Sequence, residues 1–325
     1  MWKIGNIEIN GKVVLAPMAG ITTHGYRKFM IPFGVDVAYS EMVSDMGLIY
    51  GNIETEGYVK FDKEECPIGI QLFGSDPKNI AKAALICEKM NQNFDFFDVN
   101  MGCPVPKVTN SGAGSALMKN PINCGDIIRE LKKVTDKPIT AKIRLGWDNK
   151  SLNYKEVIRE LEDAGVSAIA IHARTKKDLY GGLPRWELLR NLKDEMKVPL
   201  IVSGNIYTLD DAITTLEITK ADAVMIARGG MGNPYLIKQI NTYFSTGEKL
   251  PNPSVDDQID YCLQLGKVFI EDKGDIVGPK MLRTIAPRFF SGFPNSKNTR
   301  VRLVTELDSY ESLVKILKDY KIESN

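Results

Sequence analysis

Phe94-Asp-Phe-Phe-Asp-Val-Asn-Met-Gly-Cys-Pro104 passes from strand to turn within a few residues. Phe94 to Val99 is rich in aromatic and β-branched side chains, which suit a pleated surface. The run stops at Asn100, and Gly102, Pro104 and Pro106 supply turn chemistry. Such a turn lifts Cys103 out of the packed core and leaves its thiol accessible beside the Asn100 amide. A buried structural cysteine is the alternative, since free Cys is among the most buried residue types.

The same pattern recurs. Seven more short apolar runs, Val13–Met18, Val37–Met42, Pro67–Phe73, Ile139–Leu145, Ala168–Ala173, Leu200–Ser203 and Ala223–Ala227, alternate with amphipathic stretches. Asp76-Pro77 opens one helix with an N-cap acid and a proline in the first turn. Thr208-Leu-Asp-Asp211 opens another as a capping box, and Asn233-Pro234 opens the last. Alternation of this kind gives parallel βαβ units. Eight of them over about 240 residues match an α/β TIM (β/α)8 barrel. A doubly wound open sheet is the rival, but no G-x-G-x-x-G follows a first strand. The Pro/Gly/polar stretch Thr246-Gly-Glu-Lys-Leu-Pro-Asn-Pro-Ser254 places the boundary. A barrel over residues 1–245 is therefore followed by a small all-helical C-terminal domain over 246–325. Its helical spacing runs through Asp256–Ile270, Lys280–Phe290 and Tyr310–Lys321.

Composition narrows the class. With 43% hydrophobic and 26% charged residues the chain reads as globular, and no apolar run reaches membrane-span length. The first ten residues carry charge and turn formers where a signal peptide is apolar. Five cysteines without a C-x-x-C pair, and only two histidines, argue against a Cys/His metal site. A cytoplasmic protein and a monomer are expected. The net charge of +1 leaves any polyanion binding to local clusters.

Barrel chemistry sits where strands end. The strand ends here carry Pro17, Met18 and Ala19; Gln71; Asn100 and Cys103; Lys142 and Arg144; His172 and Arg174; Ser203, Gly204 and Asn205; and Ala227 and Arg228. An inward strand lysine presents a cation to an anionic ligand, although a strand lysine more commonly faces solvent. His172 at its strand end suits a satisfied structural role as well as a functional one. Ser203-Gly-Asn205 and Arg228-Gly-Gly230, ahead of a helix start, suit a phosphate. Phosphate loops, an inward Lys142, the Gln71 amide and Pro17-Met18 together suit flavin mononucleotide (FMN).

Taken in order, Ala16-Pro-Met-Ala-Gly20, Gln71-Leu-Phe-Gly74, Asp98-Val-Asn-Met-Gly-Cys-Pro104, Lys142-Ile-Arg-Leu-Gly146, His172-Ala-Arg-Thr175, Ser203-Gly-Asn-Ile206 and Ala227-Arg-Gly229 resemble the tRNA-dihydrouridine synthases, the bacterial B-type branch most closely. The resemblance implies an FMN enzyme that reduces the C5–C6 double bond of particular uridines in tRNA, with NADPH as electron donor. It implies Cys103 as the acid that protonates C5 while flavin N5 delivers hydride to C6. It further implies Asn100 on the uracil, Arg174 and Lys176 toward the substrate, and His172 beside the flavin. Pro17, Met18, Ala19, Gln71 and Lys142 would line the flavin, with Ser203, Gly204, Asn205, Ala227 and Arg228 toward its phosphate. The target base is expected to flip out of its stack. The chain departs from the family pattern at Thr23 and His24, where Asp is common, and His24 is expected to be exposed near a helix start.

Ile276 to Thr305 contains no acid but carries Lys280, Arg283, Arg288, Lys297, Arg300 and Arg302. That run suits RNA, while Phe289, Phe290 and Phe293 among it read as core. Arg174, Lys176 and Lys177, with Lys107 and Lys119, are expected to extend the positive surface to the barrel mouth. Two other readings remain: a dihydroorotate-dehydrogenase-like FMN barrel acting on a free pyrimidine, and a catalytically silent tRNA-binding protein.

Overall fold

The computed structural model describes residues 1–62 and 66–324. The chain divides into two compact units, one of residues 1–22 with 36–227, the other of 23–35 with 228–325.

The first unit opens with an antiparallel hairpin of β1 (Trp2–Ile4) and β2 (Ile7–Ile9). Eight strands follow: β3 (Val13–Leu15), β4 (Ala38–Ser44), β5 (Ile68–Phe73), β6 (Phe96–Met101), β7 (Ile139–Arg144), β8 (Ala168–His172), β9 (Leu200–Ser203) and β10 (Ala223–Ile226). They pair in parallel in the order β3-β10-β9-β8-β7-β6-β5-β4. A parallel bridge between Val14 and Val37, with the Leu15 N–H donating to the Val37 carbonyl at 2.8 Å, closes the ring. This is a TIM barrel, and each strand falls on one of the eight apolar runs.

Alternation along each strand divides lumen from helix-facing side chains. At the strand starts the lumen is apolar: Val14, Tyr39, Phe96, Ala168, Ala223 and Met225 pack with Trp2, Ile4 and Ile9 of the hairpin. The alternating Trp-Lys-Ile and Ile-Glu-Ile runs thus form a plug, which the charged start of the chain did not reveal. Gly69 makes room for this layer, because a Cβ there would lie 2.2 Å from the Phe96 ring. Helix starts follow their caps: Asp76 accepts from the Asn79 N–H at 2.9 Å ahead of Pro77–Met90, and Thr208 and Asp211 form a capping box for Leu209–Thr219.

The second unit is helical. It includes His24–Met30, Tyr235–Thr246, Ser296–Thr305, Tyr310–Ser324 and the long Val255–Leu282 helix, which kinks at Gly274. Phe29 meets Phe289 edge-on at 6.4 Å, and Phe33 meets Tyr261 at 5.1 Å. Phe289 and Phe290 are core. His24 is not exposed: its Nδ1 lies 3.1 Å from Asp272 Oδ1, and only 10% of the side chain is accessible. A sequence window around His24 could not anticipate a partner 248 residues away. Within the acid-free run, Arg283 donates to the Leu307 carbonyl and Arg302 pairs with Glu306 and Asp319, whereas Lys280 and Lys297 are exposed.

Candidate active site

The strand ends of the barrel are polar where the strand starts are apolar. Asn100 on β6 is in register with Lys142 on β7, which is in register with Ala170 on β8; one step further, Arg144, His172 and Ser203 align. Period-two alternation therefore brings residues scattered over more than a hundred positions into two layers of one mouth.

The lower layer is a chain of hydrogen bonds around a carboxylate. Asp98, fully buried, accepts from Gln71 Nε2 at 2.6 Å and from Thr140 Oγ1 at 2.6 Å. Gln71 Oε1 then accepts from Asn100 Nδ2 at 2.8 Å. Asn100 is thereby oriented with its Oδ1 toward the turn, where it accepts from the N–H groups of Gly102 at 3.1 Å and Cys103 at 2.8 Å. Amide orientation is dictated at each step, since a carboxylate can only accept. Burial pushes the Asp98 carboxyl up to about 6, against the opposing hydrogen bonds from Thr140 and Gln71 and the attraction of Lys142.

Lys142 is half-buried and makes no hydrogen bond or ion pair among the described residues. Burial, and then repulsion from Arg144, lower its ammonium to about 8, with Asp98 and Cys103 opposing. A cation held in the mouth without a partner is a place for an anionic or electron-rich ligand.

Cys103 is not the accessible thiol expected: it is 9% exposed and packs with Val108, Ala113, Met42 and Phe73. The reason is tertiary. Ser115 donates to the Cys103 carbonyl through both N–H (3.0 Å) and Oγ (2.9 Å), folding the following loop over the turn.

Two buried arginines serve the loops. Arg144 Nε donates to the Gly102 carbonyl at 2.7 Å, and its Nη1 donates to those of Thr175 at 2.8 Å and Leu179 at 2.7 Å. Arg174 is not part of the positive surface expected of it: 1% exposed, it donates to the carbonyls of Gly181 at 2.9 Å and Gly182 at 2.5 Å, and to Asn205 Oδ1 at 3.0 Å. Its Nη1 also lies 3.3 Å from His172 Nε2. A guanidinium can only donate, so His172 Nε2 accepts, and Nδ1 carries the proton shared with Ser203 Oγ at 3.3 Å. The loop they hold presents Leu179, Tyr180 and Leu183 to solvent, with Tyr180 edge-on to His172 at 6.3 Å.

After β3 the expected Pro17, Met18 and Ala19 sit in a strapped loop. Thr22 Oγ1 donates to the Ala16 carbonyl and accepts from the Met18 N–H, both at 2.9 Å. Glu41 Oε1 takes the Gly20 N–H at 2.6 Å. A bulge in β4 between Tyr39 and Met42 turns Glu41 toward that loop. Gly204 (φ +127°) and Asn205 (φ +49°) follow β9 in left-handed conformations. Ala227 ends the barrel unit, while Arg228 belongs to the helical unit and opens its Arg228–Gly230 turn. Lys176 rests on the Trp147 ring. Asp98, Thr140, Glu41 and Tyr180 were not singled out from sequence. The alternation of Asp98 with Asn100, and of Thr140 with Lys142, was the available signal.

A family model described as dihydrouridine synthase matches residues 14–321. A protein of Rickettsia bellii named probable tRNA-dihydrouridine synthase is 34% identical over 301 residues, 92% of either chain. One of Vibrio vulnificus named tRNA-dihydrouridine synthase B is 32% identical over 281 residues, covering 86% of this chain and 87% of its own. Among solved structures, a 2-naphthoyl-CoA reductase complex superposes with a TM-score of 0.55 at 13% identity, over 73% of this chain and 51% of that one, a likeness of fold.

Proposed function

Since this chain belongs to the dihydrouridine synthase family, we propose that it reduces the C5–C6 bond of uridines in tRNA, with FMN as cofactor and NADPH as electron donor. The observation that carries the reading is the Asp98–Gln71–Asn100–Cys103 relay beside Lys142, which makes no hydrogen bond or ion pair among the described residues. FMN fits the mouth: Lys142 has spare donors, Ala170 beside it on β8 is small, and Gly204 offers backbone without a side chain. Lys142, Gln71 and the Pro17–Ala19 loop would hold the ring system, His172 its edge, and Ser203, Gly204, Asn205 and Ala227 its phosphate. Bound FMN supplies the hydride that uracil C6 receives.

The chain's own groups do the rest. Asn100 anchors the Cys103 turn, so the thiol has a defined position from which to give its proton to C5. Its burial keeps bulk water from the proton path until a flipped base enters. Arg174 holds the Gly181–Gly182 loop and sets the His172 tautomer, and so orders the substrate side of the mouth. Residues 246–325 are proposed to meet the tRNA, with Lys280 and Lys297 on their surface.

The purified protein is expected to show a flavin spectrum and to consume uridine in tRNA with NADPH. A colourless protein that cannot be loaded with FMN would refute the reading. Cys103→Ala is expected to keep flavin and its reduction by NADPH while losing dihydrouridine formation. Full turnover by that variant would remove the proton-donor role.

A further inference from the structure

Three successive βα loops of the barrel converge on one indole. Trp147, in the loop after β7, carries Lys119 Nζ at 3.4 Å and Lys176 Nζ at 4.6 Å from its ring centroid. Lys119 comes from the loop after β6 and Lys176 from the loop after β8. The support is rigid. The N–H groups of Lys176 and Lys177 donate to the carbonyls of Gly146 (2.9 Å) and Trp147 (3.0 Å), joining the β7 and β8 loops. Asn153 Nδ2 donates to the Met118 carbonyl at 2.7 Å, joining the β6 loop to the β7 loop. Gly146 makes the tight turn possible, because a Cβ there would lie 2.0 Å from the Ser151 carbonyl oxygen.

Two ammonium groups drawn to one ring repel each other, and neither is paired with a carboxylate among the described residues. The carboxylate next in sequence, Asp148, is taken by Lys177 at 2.8 Å. The indole offsets part of the repulsion through its negative face. Phosphates drawn to the two lysines offset the remainder. We infer that Lys119 and Lys176, held on Trp147, form a clamp for the phosphodiester backbone of the RNA whose base enters the mouth. The inference rests on the tRNA reading above and adds to it a backbone site and the residue that organises it. A phosphate of NADPH has the same charge chemistry. The clamp is assigned to RNA because it sits on the rims of three loops, where a continuous backbone can cross it, and because Lys119 is exposed.

The test is tRNA binding by the FMN-loaded protein as a function of salt. Lys119→Ala/Lys176→Ala is expected to weaken binding about tenfold near physiological salt and to reduce the slope of log K against log salt by about 1.4 to 1.8. The Lys119→Arg/Lys176→Arg pair restores the slope. Trp147→Leu weakens binding several-fold with the slope retained, and Trp147→Phe recovers most of it. A double-alanine slope equal to that of the unaltered protein would overturn the clamp while leaving the tRNA reading intact. A loss confined to the KM for NADPH would assign the lysines to the cofactor instead and overturn the RNA assignment. An unaltered protein that neither binds tRNA nor forms dihydrouridine would overturn both inferences.

Discussion

Asp98→Asn removes a charge from the barrel lumen while keeping the side chain's shape. The Asp98 carboxyl is raised to about 6 from an ordinary 3.8. The folded state therefore holds this proton more tightly than the unfolded chain does. Its stabilising contribution is complete below the unfolded value and is lost as pH rises through about 6. Across that interval the loss is about 3 kcal/mol, and about 2 kcal/mol of it falls between pH 4.5 and pH 7.5. An asparagine does not titrate. It can still accept from Gln71 Nε2 through its oxygen and donate to Thr140 Oγ1, whose hydroxyl then turns toward the Phe97 carbonyl 3.4 Å away. The stability difference, variant minus unaltered, is expected to rise by about 2 kcal/mol from pH 4.5 to pH 7.5 and to level off above about pH 6. Urea unfolding followed by tryptophan fluorescence reads the barrel alone, because Trp2, Trp147 and Trp186 all lie in that unit. A difference that stays flat over this range would refute the account of Asp98 as a buried, costly carboxylate.

Lys142→Met should stabilise the flavin-free barrel at neutral pH by up to about 3 kcal/mol. The Lys142 ammonium, lowered to about 8 from 10.5, costs the fold most below pH 8, and the deficit closes as pH rises toward 10.5. The same change should weaken FMN binding in a fluorescence titration; a less stable variant with full flavin affinity would contradict both statements. Gly69→Ala puts a Cβ 2.2 Å from the Phe96 ring and should cost about 1–3 kcal/mol in the same urea assay. Combining it with Phe96→Leu should recover part of that cost, and an unchanged midpoint for Gly69→Ala alone would show that the lumen is loosely packed.

The amino-acid sequence by itself determined the barrel. Eight strand-forming runs separated by capped helices admit few topologies, because local periodicity and capping are written in adjacent residues. The strand-end positions of Gln71, Asn100, Cys103, Lys142 and His172 were legible for the same reason. Tertiary structure alone decided what those positions do to one another. Cys103 reads as exposed until Ser115 folds the next loop over it, and His24 reads as exposed until Asp272 reaches it. Asp98 reads as one more strand residue until parallel register sets it against Gln71 and Thr140. Spacing along one strand fixes which face a side chain takes, whereas its partners come from neighbouring strands, and only closure of the ring sets that register.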